Sequence, residues 1–183
     1  ACLFEGNQAI GWGGGALYNW QARTTIQNCD FNTNSAVNTA GVIYTAGEIA
    51  QTEVFNTKFE DNQAFGGWGA CAAAYNDSKG TFRDCEFLNN EAGTSGGALT
   101  VGFRGGVDIE RCHFEKNTAR FGGAIYAQND TTALSIDSTT FIANVTSGYG
   151  GALLISGGIT ADVSHSLFQE NASDFGGAIA TFI

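Results

Sequence analysis

Hydrophobic residues along this chain come in short bursts where apolar and polar positions alternate, as in "TTIQNCDF" and "VDIERCHF", and each burst is cut off by Gly, Asn, Asp, Ser or Thr. Alternation of period two marks a strand with one buried face, and no burst is long enough for a stable helix. The bursts also repeat. Aligned on F-x-x-N they give Phe4/Asn7, Phe31/Asn34, Phe59/Asn62, Phe87/Asn90, Phe114/Asn117, Phe141/Asn144 and Phe168/Asn171, with successive Phe residues 27, 28, 28, 27, 27 and 27 apart. Two residues before each Phe stands a small side chain: Cys2, Cys29, Thr57, Cys85, Cys112, Thr139 and Ser166. Two after each Asn come Ala9, Ala36, Ala64, Ala92, Ala119, Thr146 and Ser173. A Gly-Gly-Ala-like element follows in each period, as in Gly14-Gly15-Ala16 and Gly96-Gly97-Ala98, and leads into Leu17, Ile43, Cys71, Leu99, Ile125, Leu153 or Ile179. Ile26, Val54, Phe82, Ile109, Ile136 and Val163 form a further apolar column five residues before the next Phe.

A unit of about 27 residues with three short strands cannot bury its own apolar face, but stacked units can. The pattern therefore predicts an all-β chain, one parallel β-helix (β-solenoid) over residues 1–183, with about seven coils of 27–28 residues and three short strands per coil. A right-handed winding follows from the bias of parallel strand connections. Equivalent residues would lie roughly 4.8 Å apart, so each column becomes a ladder in a stack about 32 Å tall. Asn is expected at the bend after the Phe strand because it tolerates left-handed backbone and can bond along the stack, and the glycines allow close backbone approach at the next corner. Composition sharpens this picture: 26 glycines and no proline in 183 residues suit a chain whose backbone N–H groups are all wanted in ladders.

Charge narrows the partners. Eighteen acidic against eight basic residues give a net charge of −10 with no Lys/Arg run, which disfavours nucleic acid and anionic lipid surfaces. No apolar stretch approaches a bilayer span, so direct membrane insertion is not expected. The start "ACLFEGNQAI" has neither Met nor a basic leader, and neither end shows a capping segment. The chain reads as an excerpt or a filament subunit, its ends covered by flanking coils of a longer chain or by other copies of itself.

The paired motifs resemble the passenger repeats of chlamydial polymorphic outer membrane proteins and the wider set of β-helical surface proteins with F-x-x-N and G-G-A-[ILV]. The second motif stands as "GGAL" at 14, 96 and 150 and as "GGAI" at 122 and 176, and is degenerate at "AGVIY" (40–44) and "GWGACA" (67–72). The C-terminal translocator barrel of that family is absent from this sequence. The resemblance implies an exported, extracellular or cell-surface, non-enzymatic protein used in adhesion or as structural scaffold.

Candidate chemistry is sparse. Cys2–Cys29 and Cys85–Cys112 would sit on adjacent coils within reach of a bridge, but their parallel side-chain directions suit disulfide torsions poorly, and they read first as small buried residues. Cys71 is read as an apolar ladder residue. No Cys or His spacing supports a metal, and no cofactor is expected. The column Asp30, Lys58, Glu86, His113 reads as alternating charge on a solvated sheet face. A polysaccharide-degrading enzyme of the pectate-lyase-like fold needs clustered Asp residues, whereas Glu5, Glu60, Asp61 and Glu115 are dispersed over the coils, so no catalytic residue is assigned. Trp12, Trp68, Phe121, Tyr149 and Phe175 stand beside the glycine corner. They read either as corner packing or as an aromatic strip that binds host-surface or matrix glycans or another chain. Of four sequons, Asn76 and Asn129 lie in polar turns as candidate glycosylation sites, and Asn144 and Asn171 belong to the corner ladder.

Overall fold

The computed structural model describes residues 1–128 and 133–182. Its first coil contains β1 (Cys2–Glu5), β2 (Gln8–Ala9), β3 (Leu17–Trp20) and β4 (Arg23–Gln27). Each pairs in parallel with its counterpart one coil on, giving sheets of seven, six, seven and six strands. The three strands expected per coil are β1, β3 and β4. The two-residue β2 was not legible in the pattern because two residues are too few to alternate.

The register is the one the columns require: Phe4 pairs with Phe31, Phe31 with Phe59, and so on to Phe141 with Phe168. Neighbouring rings of this ladder lie 4.4 to 5.1 Å apart, tilted by 1 to 10°. Phe31, Phe59, Phe87, Phe114 and Phe141 are fully buried, and the Ile/Val column from Ile26 to Val163 packs beside them. No charged side chain is buried among the described residues.

The Asn ladder repeats one set of bonds. The Asn90 backbone N–H donates to Asn117 Oδ1 (3.1 Å), and its amide Nδ2 donates to the same oxygen (2.9 Å) and to the Phe59 carbonyl (3.1 Å). From Asn34 to Asn144 each Oδ1 thus accepts two bonds and each Nδ2 gives two, a set that Asp could not supply because it cannot donate. The expectation that these Asn residues take the left-handed corner needs correction. Positive φ falls on the residue before each of them: Gly6, Thr33, Asp61, Asn89, Lys116, Ala143 and Glu170. The ladder Asn is kept for its amide, and the corner residue is free to vary.

The small column is more than small. Cys29, Thr57, Cys85, Cys112, Thr139 and Ser166 each donate to the carbonyl two residues back, at 3.2, 2.8, 3.2, 3.4, 2.9 and 2.7 Å. These bonds close a second left-handed corner at Asn28, Asn56, Asp84, Arg111, Ser138 and His165. Thr, Ser and Cys share the column because each offers a short donor. All five cysteines are free, with no bridge between Cys2 and Cys29 or between Cys85 and Cys112. The hydrogen bond with Cys85, then burial, pushes the Cys112 thiol up.

One column assignment is overturned. Ala72, not Cys71, pairs with Ile43 and Leu99, so Cys71 occupies the position of Val42 and Ala98. The register is set by Gly69, whose φ of 66° matches the first glycine of other pairs such as Gly96 at 60°. The small Ala72 leaves room that Phe82 fills: both line the same residual internal hollow of about 10 Å³, and the Phe82 ring meets Phe87 edge-on at 5.6 Å. The second glycine of a pair is required by contact, since a Cβ on Gly97 would stand 2.0 Å from the Gly123 carbonyl oxygen.

Candidate functional site

Interior demands consume the Phe ladder and Phe82 but leave most other aromatics outside it, and these gather on the outer face of the β3 sheet and the glycine corner beside it. In β3 the alternation turns Leu17 and Asn19 inward and Tyr18 and Trp20 outward. Tyr18, Tyr44 and Tyr126 share the outward column next to the Leu17 ladder. Tyr75 stands in register with Ala46 and Trp20.

Two clusters result. In the first, Tyr18 stacks on Tyr44 (5.6 Å, 2°) and on Trp20 (6.4 Å), and Tyr75 is contacted by Tyr44, Trp68 and Phe103 at 6.1, 5.6 and 5.5 Å. Burial, then the neighbouring Tyr44 and Tyr126, raises the Tyr75 hydroxyl well above the ordinary tyrosine value. In the second, Tyr149 stacks on Phe121 (6.3 Å, 12°) and Phe175 (4.9 Å, 23°) and meets Phe182 edge-on (4.7 Å, 89°). Phe121, Tyr126, Tyr149, Leu154, Ser156 and Phe182 line an open groove of about 310 Å³.

Of the strip read from sequence, Phe121, Tyr149 and Phe175 come together. Trp68 lies in the same column but is separated from Phe121 by Ser95, and it packs instead on Tyr75. Trp12 stands apart in an exposed loop (75% exposed) and joins neither cluster. Tyr18, Trp20, Tyr44, Tyr75, Phe103, Tyr126 and Phe182 were not singled out; the signal was there for three of them, since Tyr18, Tyr44 and Tyr126 each follow a ladder residue by one. Asn76 is exposed, but its sequon partner Ser78 is buried and donates to the Thr45 carbonyl (3.1 Å). Asn144 is buried in the ladder and Asn171 partly so; Asn129 lies outside the described residues.

The charged column Asp30, Lys58, Glu86, His113 is in register, but its cation pairs along the strand: Lys58 Nζ lies 2.7 Å from Glu60. His113 meets Thr140 (2.6 Å) and Glu115 (3.2 Å). Two arginines clamp an Asp one coil below, Arg104 on Asp77 and Arg111 on Asp84, each through two bonds of 2.7 to 2.9 Å. Hydrogen bonds from those guanidinium groups hold both carboxyls below the ordinary range. Among the described residues no three His, Cys, Asp or Glu side chains group as a metal site requires. Nor, among the described residues, is any helix long and apolar enough to cross a membrane.

Parallel strands stacked coil upon coil in continuous ladders define the β-solenoid class. The chain belongs to the right-handed β-helix family, described as "right handed beta helix region", which matches residues 1–141. That family has the handedness expected from parallel strand connections. Over 102 residues the chain is 32% identical to the "probable outer membrane protein PmpG" of Chlamydia muridarum (strain MoPn / Nigg), a match covering 49% of this chain and 10% of that protein. The chain thus spans about a tenth of that relative's length. No solved structure matches at a comparable level of significance. Family and relative accord with the resemblance carried by the two repeat motifs.

Proposed function

We propose that this chain forms the shaft of a surface-displayed, non-enzymatic β-helix, an extracellular scaffold that carries adhesive surface. The observation that carries the reading is the Asn ladder: the same bonds recur coil after coil from Asn7 to Asn171, which builds a rigid rod by repetition. Two further observations support it. The similar protein is named for the outer membrane. The acidic side chains are spread over the coils, with several held by Arg or Lys partners, where acid–base chemistry on a polysaccharide would need them converged.

Partners in this reading are coils stacked on either end, supplied by the same polypeptide or by further copies. Each Asn backbone N–H points to the next coil's Oδ1, so Asn7 Oδ1 at one end complements the Asn171 N–H at the other. Antibody against the chain should label intact cells of its source; labelling only after permeabilisation would contradict the surface role. Incubation with polygalacturonate should release no new reducing or unsaturated ends, and release that scales with protein concentration would contradict the non-enzymatic part.

A further inference from the structure

We propose that the groove between Phe121, Tyr126, Tyr149, Leu154, Ser156 and Phe182 binds a neutral sugar of one or two pyranose rings. Its volume, about 310 Å³, stands at the low end of small-molecule sites, which run from roughly 300 to 1,000 Å³. Its walls are set for a flat apolar face: Tyr149 and Phe182 meet at 89° and form a corner, so a ring packed against one is edged by the other. Leu154 is buried and supplies the floor.

The polar groups decide the ligand class. Tyr126, Tyr149 and Ser156 bring three hydroxyls and no charge to the lining. Tyr126 and Ser156 already share a 3.3 Å hydrogen bond, longer than an ordinary hydroxyl pair, and a ligand hydroxyl can bridge it. Arg120, the nearby cation, has its guanidinium 5.2 Å over the Phe121 ring and is not among the lining residues. An acidic sugar would find no cation in the lining, and the chain's net charge of −10 disfavours it further. Aromatic faces with hydroxyl donors and acceptors fit a neutral pyranose, which offers C–H faces and a rim of hydroxyls. The first aromatic cluster lacks this construction, because Tyr75 is sealed beneath Trp68 and Phe103.

The inference gives the adhesive surface of the proposed shaft a ligand class, and depends on that reading only for its biological use. The purified chain tests it directly. Cellobiose, maltose and lactose are titrated at millimolar concentration and followed by NMR on the tyrosine, phenylalanine and tryptophan ring resonances, with glucuronic acid as the charged comparison. At least one neutral disaccharide should shift the Tyr126, Tyr149 and Phe182 signals saturably, and glucuronic acid should bind more weakly. Tyr126→Phe keeps the ring and removes one hydroxyl, and should weaken binding roughly two- to tenfold, as loss of one hydrogen bond does. Tyr149→Ala should abolish it, with circular dichroism verifying the fold. Absence of saturable shifts with all three disaccharides, equal binding of glucuronic acid, or shifts confined to Trp12 and Trp20 would overturn the site, while cell labelling reports separately on the surface reading.

Discussion

At the residue scale the fold rests on a few atoms that must be where they are. Asn117 is fully buried; its Nδ2 donates to Asn144 Oδ1 and the Phe87 carbonyl, and its Oδ1 accepts two bonds from Asn90. Asn117→Asp removes both donations and buries a carboxylate, and should cost about 3–5 kcal/mol in denaturant unfolding, the scale of an uncompensated buried charge. Gly97→Ala should also be severe, because its Cβ would meet the Gly123 carbonyl at 2.0 Å with only backbone to yield. Cys112→Thr, by contrast, supplies the donor that Thr139 uses one coil on and should change stability by less than about 1 kcal/mol. Cys112→Ala leaves the Glu110 carbonyl without that bond and should cost more than the Thr variant in the same measurement.

At the element scale the sheets are held by ladders that compensate one another within a coil. Ala72 and Phe82 illustrate this, since the strand that gives up a large side chain is answered by a larger one on the sheet beside it. Phe82→Ala should cost about 3–5 kcal/mol, as large-to-small changes in a packed core do. Ala72→Leu combined with Phe82→Ile restores the arrangement of the other coils, and should be far less harmful than the two single changes summed. Much of the fold was legible because inward columns repeat at a fixed period and tolerate only one kind of side chain. Legibility failed where the period locally changed, at Gly69-Ala70-Cys71, and where the backbone rather than the side chain carried the requirement, at the left-handed corners. The site was half legible. Phe121, Tyr149 and Phe175 adjoin the repeated glycines, whereas Phe182 reaches Tyr149 from the next coil's β3-type strand (Ile179–Phe182), a contact that no linear spacing announces.

At the scale of the whole molecule, the polar side chains buried among the described residues are those of Asn, Thr and Ser, and no charged side chain among them is buried. Asp77 and Asp84 sit below the ordinary carboxyl value of 3.8 because Arg104 and Arg111 bond their charged forms. Groups lowered in this way contribute stability above the unfolded-state value and lose it as pH falls through the folded one. The thermal midpoint should therefore stay level from neutral pH down to the carboxylate range and decline only below it. The decline should be shallow, since these pairs are solvent-exposed and screened. A steep loss already near pH 6 would contradict the confinement of charge to exposed pairs.

One continuous amide ladder ties the coils together, and hydrogen exchange of the asparagine side-chain amides puts that ladder to the test. The Nδ2 protons of Asn34, Asn62, Asn90, Asn117 and Asn144 each have two bonded acceptors and should exchange as slowly as backbone amides of the core strands. Exchange of these protons at the rate of the exposed Asn38 and Asn76 side chains would contradict the ladder, and with it the scaffold built upon it.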